Sequence, residues 1–240
     1  MRMSHTPQRP RIAVFDTLRG FTIFSMVLFH ACYDAAYLWG IPMPWFMGTP
    51  LQAIWRASIS WTFLFLAGWM TAFSRSNLRR AARYGAAAFA VFLATSLAGV
   101  DTAISFGILF CMAASTLLGH IVRKSGVLTR PAAVLLGAVI AFALTYALPL
   151  SRYPVEGLAW LGFPSPTFTS GDYYPLIPYF FMYLAGMAAS SLFERAREGA
   201  YPIWMQRDWC PVLTFVGRLS LPIYLAHQPL LIAIGMVLGY

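Results

Sequence analysis

Seven stretches of roughly 18 to 26 predominantly apolar residues recur along the chain, each long enough to cross a hydrocarbon core of about 30 Å at about 1.5 Å per residue. They run approximately over 12–39, 50–73, 81–100, 104–122, 131–150, 174–193 and 214–238. With 59% hydrophobic and 10% charged residues, 240 residues cannot hide that surface in one water-soluble core, so the chain requires lipid as its solvent. The longest segments between the stretches, about 151–173 and 194–213, are too short to bury a core of their own. The expected fold is therefore an all-α integral membrane protein: one polytopic domain over 1–240, with a basic tail at 1–11 and a membrane domain of about seven transmembrane helices at 12–240. Prolines punctuate the loops at Pro42, Pro44, Pro50, Pro154, Pro164 and Pro166. Pro178 and Pro222 fall inside apolar stretches and are expected to kink them.

Charge asymmetry sets the expected orientation. Arg2, Arg9 and Arg11 precede the first stretch; Arg75, Arg79, Arg80 and Arg83 follow the second; Arg123, Lys124 and Arg130 follow the fourth; Arg195, Arg197 and Arg207 follow the sixth. The alternate loops hold only Arg152. The positive-inside rule then puts the N-terminus in the cytoplasm and the C-terminus outside. The net charge of +9 is accounted for by that topology and by anionic lipid headgroups, with no call for nucleic acid as a partner. The first stretch is too long for a signal-peptide core and lacks a convincing small-residue cleavage site, so it is read as retained. Cys32, Cys111 and Cys210 lie at different depths, with neither metal-ligand nor disulfide spacing, so no metal is expected.

Once the loops are assigned, Arg19, Arg56 and Arg218 remain within the membrane, where an ionisable group asks for a partner, a cavity or a task. The first stretch is the richest. At about 100° per residue, His30 falls about 20° from Arg19, with Asp16 and Asp34 about 60° away. Met26, Tyr33 and Tyr37 lie on or near this stripe, whereas Phe21, Phe24 and Leu28 point toward lipid or packing partners. Asp16 and Arg19, three apart, are spaced for an ion pair, whose plainer reading is a pair snorkelling at the cytoplasmic edge. His30 and Asp34, four apart, have the spacing at which a carboxylate can orient an imidazole, which makes His30 a candidate base.

The last stretch carries His227 and Gln228 within LSLPIYLAHQP, about as deep from the cytoplasmic end as His30, so both histidines are candidates for one outer-half cavity. A bond from His227 to a neighbouring carbonyl is the competing reading. Asp172, in GDYYPLIP, is placed outside, either at the mouth of that cavity or as a helix cap. Snorkelling accounts for Arg56 and Arg218. His120 lies near the cytoplasmic edge and His5 in the tail.

DTLRGFTIFSMVLFHACYD, WTFLFLAGWM, ISFGILF, DYYPLIPYFFMYLAGM and LSLPIYLAHQPLL, in this order, resemble the bacterial branch of the heparan-α-glucosaminide N-acetyltransferase-like membrane proteins over nearly the whole chain. The pair Arg19-x10-His30 is also similar to the signature of a wider transmembrane acyltransferase superfamily, in which the histidine acts in acyl transfer from a cytoplasmic acyl-CoA to an acceptor on the far side. The resemblance implies acetyl-CoA or another acyl-CoA as co-substrate and a glycan or glycolipid acceptor bearing an amine or hydroxyl. It implies His30 as base or acyl carrier, helped by Asp34, His227 and Asp172, with Arg19 and Asp16 on the donor side. The sequence departs from the family in having seven stretches rather than ten or eleven, and in Phe110, where many bacterial relatives carry histidine.

A second class stays open from the residues alone: a small transporter or flippase-like protein in which Asp16, Arg19, His30 and Asp34 line a substrate or proton path. No inverted repeat is visible between the two halves. A retinal protein is disfavoured because the only lysine, Lys124, lies in a cytoplasmic loop. A structural subunit and a homodimeric assembly are left open.

Overall fold

The computed structural model describes residues 11–99 and 101–240. Arg2, His5 and Arg9 of the basic tail, and the end of the third apolar stretch at Val100, lie outside the described residues. The described residues form helices and no strand. Five helices are long and apolar enough to cross a membrane: Ala13–Leu38, Asn77–Ala98, Pro131–Leu150, Leu176–Ala196 and Ser220–Leu238. Helices also form at the other two expected stretches, but neither joins those five. One of them, Pro50–Trp69, carries Gln52, Arg56, Ser58, Ser60 and Thr62 among its apolar residues. The other, Ile108–Lys124, has 17 residues, about 25 Å of rise and so short of the hydrocarbon core.

Contacts divide the chain into two compact units. The first joins the chain's two ends, up to Met43 and from Arg197 onward. It contains α1 (Ala13–Tyr33), which continues into a π-helical turn at Asp34–Leu38. The short α7 (Ile203–Gln206), α8 (Pro211–Arg218) and α9 (Ser220–Leu238) complete it. Helices α1 and α8 pack with their backbones nearly touching, because glycines face each other. A Cβ on Gly20 would run into the carbonyl oxygen of Leu213, and one on Gly217 into that of Asp16. Such small-residue crossings are how helices associate where lipid removes any hydrophobic drive between them. Phe21, Phe24 and Leu28 are exposed, on the side expected to meet lipid. Tyr37, expected on or near the polar stripe, is also exposed, because the wider π turn shifts the rotation beyond Tyr33.

The second unit, Pro44–Ala196, holds α2 (Pro50–Trp69), α3 (Asn77–Ala98), α4 (Ile108–Lys124), α5 (Pro131–Thr145) and α6 (Leu176–Ala196). Thr49 caps α2 by accepting from the Gln52 amide, and Ser76 caps α3 by accepting from the Arg79 amide. Tyr183, fully buried on α6, donates to Thr116 on α4.

Two local expectations change. Pro178 does not kink a helix interior: the residue before it, Ile177, is extended (φ −101°, ψ 125°), so the regular part of α6 starts at the proline. The last stretch is not one helix. It breaks at Leu219 (φ −99°, ψ 18°), which places Pro222 in the first turn of α9, where its missing N–H costs nothing, and leaves Pro229 inside the helix.

Candidate functional site

All the intramembrane charges of α1 fall in the first unit, in two clusters separated by about 16 Å, the rise of the eleven residues from Arg19 to His30. At the N-terminal end Asp16, 4% exposed, gathers three guanidinium groups. Arg11 Nε donates to its Oδ2 at 2.7 Å, Arg19 Nη2 donates to its Oδ1, and Arg218 Nε lies 3.9 Å from Oδ2. The ion pair expected from the Asp16–Arg19 spacing forms. Arg218 arrives on α8 through the Gly20–Gly217 crossing, where Thr17 and Thr214 hydroxyls also meet at 2.7 Å. Three positive groups around one carboxylate leave an excess of positive charge. Such a rim suits an anionic group with several oxygens, because guanidinium forks match phosphate and carboxylate geometry.

The second cluster is built where α1 passes α9. The rings of His30 and His227 meet edge to face, with centroids 4.7 Å apart and planes at 74°. Each commits Nδ1 to a backbone carbonyl one turn back, His30 to Met26 at 3.0 Å and His227 to Tyr224. A carbonyl can only accept, so in the neutral rings Nδ1 carries the proton and the free lone pair is on Nε2. For His227 that Nε2 is buried and has no hydrogen-bond partner among the described residues. An unprotonated imidazole nitrogen can accept a proton or form a bond to an electrophilic carbon.

Asp34, fully buried at the start of the π turn, accepts from Gln228 Nε2 at 2.7 Å. Spacing alone pointed Asp34 at His30; the nitrogen that an orienting acceptor would engage, Nδ1, instead faces the Met26 carbonyl. The Asp34–Gln228 bond ties α9 to α1 immediately beside the histidine pair. Gln228, Arg218 and Arg11 are the residues whose part the sequence under-reads. Their partners stand on other segments, beyond what spacing on one helix can report.

Asp172 lies in the second unit. Its Oδ2 accepts from the Ile108 amide at 3.0 Å and so caps the N-terminus of α4, while its carbonyl accepts from Ser170 Oγ at 2.7 Å. Among the described residues no group of three or more His, Cys, Asp and Glu side chains could hold a metal ion.

Apolar helices of membrane-crossing length, one of them carrying an aspartate–arginine pair and a histidine matched by another, define an integral membrane protein with a polar intramembrane site. The family model described as heparan-alpha-glucosaminide N-acetyltransferase, catalytic, matches residues 11–229. The chain belongs to that family of transmembrane acetyltransferases. Comparisons with curated proteins and with solved structures gave no match.

Proposed function

We propose that the protein moves an acetyl group from acetyl-CoA, or another acyl-CoA, to an amine or hydroxyl of a glycan or glycolipid outside the cytoplasm. The observation that carries the reading is the His30–His227 pair, with both Nδ1 atoms held by carbonyls and both Nε2 atoms left as bases. In the single-step form, His30 Nε2 takes the acceptor's proton as its oxygen or nitrogen attacks the acyl carbon, and the thioester C–S bond breaks with CoA thiolate leaving. In the two-step form, His30 Nε2 bonds to the acyl carbon and expels the thiolate; the acceptor then attacks that carbon, the bond to His30 Nε2 breaks and frees the imidazole, and His227 Nε2 receives the acceptor's proton. The paired rings suit the second form, which needs two nitrogens.

Arg11, Arg19 and Arg218 receive the phosphates of the donor, and Asp16 holds those guanidinium groups in place. Asp34 fixes α9 through Gln228 and keeps a negative charge near an imidazole that becomes cationic in the reaction. Asp172 caps α4 within the second unit, and Asp172→Asn tests whether its charge also serves the reaction. The reading includes seven spans, with α2 and α4 crossing as well, the N-terminus in the cytoplasm and the C-terminus outside, in a bacterial inner membrane. The basic residues at Arg75, Arg79, Arg123, Lys124, Arg195 and Arg207 support that orientation.

Purified protein incubated with acetyl-labelled acetyl-CoA tests the reaction through release of CoA thiol and transfer of label to an amino sugar. His30→Ala is expected to lower turnover by about 10² to 10⁴-fold with donor binding intact. Arg19→Ala is expected to weaken donor binding in a folded protein. Wild-type turnover in folded His30→Ala would overturn the mechanism.

A further inference from the structure

The second unit contains an apolar groove of about 890 Å³ between α3 and α4. Leu78, Ala82, Gly85 and Phe89 of α3 form one wall, and Phe110 and Leu117 of α4 contribute to the other. One end is closed by Phe92, by Ser105 and by Phe106 stacked on Phe168 (centroids 5.9 Å apart, planes 22°). The open end is flanked by the exposed side chains of Arg79, next to Leu78, and Lys124, two turns beyond Leu117 on the α4 face that lines the groove.

The geometry points to a bound anionic phospholipid, its phosphate between Arg79 and Lys124 and a hydrocarbon tail along the groove. Length supports this occupant. From Leu78 to Phe92 the groove runs about 21 Å along α3, walled on α4 from Leu117 to Phe110 and beyond it by Phe106 and Ser105 of the preceding segment. One leaflet with its headgroup layer is half of about 40–45 Å. The groove thus has the depth of a single phospholipid and stops there, although α3 continues to Ala98. Charge supports it too. Basic groups stand at the open end and none lines the groove, which orders an amphiphile head first. The small side chains at Ala81, Ala82, Gly85 and Ala88 keep a path open where larger residues would let α3 and α4 close on each other.

Native mass spectrometry of protein released from phosphatidylcholine vesicles with and without phosphatidylglycerol tests the site. Wild type is expected to retain one phosphatidylglycerol in preference to phosphatidylcholine by about thirty-fold, from two basic groups each attracting an anionic surface by about 1 kcal/mol. Arg79→Gln with Lys124→Gln, both on the exposed surface, should remove the preference. Gly85→Leu should remove retention of both lipids by filling the groove. Its Cβ meets only Ala113 Cβ at 3.9 Å, so the helix has room for it. Ala86→Leu, exposed on α3 and outside the groove, is the control and should retain phosphatidylglycerol. Equal retention of the two lipids by wild type, an undiminished preference in the double variant, or unchanged retention in Gly85→Leu would each overturn the proposal.

Discussion

Replacing Asp34 and Gln228 by alanine, singly and together, probes the bond that joins α9 to α1 beside the histidines. A carboxylate only accepts, so Gln228 presents its Nε2 to Asp34 Oδ1 at 2.7 Å, while its Oε1 is buried without a hydrogen-bond partner among the described residues. Asp34→Ala therefore strands the donor as well, leaving a whole amide unpaired, and Gln228→Ala takes a donor from a buried carboxylate. The double variant removes both needs at once, so it should cost less than the sum. Hydrogen bonds to charged groups contribute about 1.5–3 kcal/mol in soluble proteins, whereas interhelical bonds within membranes average about 0.6 and reach about 1.7. A fully buried acceptor carboxylate places this pair near the upper membrane value even though Gln228 is only half-buried, so the expected coupling energy is about 1.5 kcal/mol, slightly more than tenfold in the folded population. The cycle is measured by reversible unfolding in mixed micelles of mild and denaturing detergent. Additivity within about 0.3 kcal/mol would refute the reasoning. Asp34→Asn sharpens the test: its new Nδ2 donor faces an amide whose Oε1 lacks one, so stability should be at least that of wild type while acyl transfer slows through loss of the charge.

The remaining predictions concern packing, the loop before α6 and orientation. Gly217→Ala sets a methyl against the Asp16 carbonyl, a backbone atom that cannot turn aside, and should destabilise by about 1–3 kcal/mol in the same unfolding assay, whereas Gly137→Ala, with open space at its Cβ, should be neutral or stabilising by up to about 1 kcal/mol. Tyr173 in the loop before α6 donates to the Ala159 carbonyl at 2.7 Å, and burial, against the opposing pull of Arg152, pushes its pKa up from 10.0 to about 12. Its contribution to stability is thus full below pH 10 and lost as pH rises toward 12, and Tyr173→Phe should flatten that limb of an alkaline unfolding curve. A reporter active only in the cytoplasm should be active when fused after Arg130 or Arg207 and silent after Tyr240; the reverse pattern would overturn the orientation.

Helices were legible in the sequence; partners across helices were not. Hydropathy located helical segments in all seven apolar stretches, because burial in lipid imposes a length and a composition on any segment that does it. The angular argument grouped Asp16, Arg19 and His30 on one side of α1, and equal depth paired His30 with His227, whose rings lie 4.7 Å apart. The π turn at Asp34–Leu38 was invisible, since nothing in DAAYL signals one residue too many per turn, and it changes what Asp34 and Tyr37 face. The break at Leu219 was equally hidden, because no glycine or adjacent proline marks it. Arg218 was read as a snorkelling side chain because its partner, Asp16, is some two hundred positions away and is reached only through the Gly20–Gly217 contact.

That contact also ties the two clusters into one arrangement, as the proposed reaction requires. Without the glycine crossing, Asp16 would face Arg11 and Arg19 alone, and α8 could not deliver Arg218; α8 leads through Leu219 directly into α9, which delivers His227 and Gln228 to His30 and Asp34. A single turn of chain thus sets both ends of the site. Along about 16 Å of α1 the side chains run from three guanidinium groups on one carboxylate to two imidazoles near another. In the proposed reaction the first end receives the polyanionic donor and the second supplies the bases. A proton or ion path would need groups that pass charge at each step between these ends. The buried residues of α1 between them are Gly20, Thr22, Ile23, Met26 and Phe29, of which only Thr22 carries a hydroxyl, and that hydroxyl is spent on the Leu18 carbonyl. The polarity of α1 therefore fits a substrate held at one end and transformed at the other.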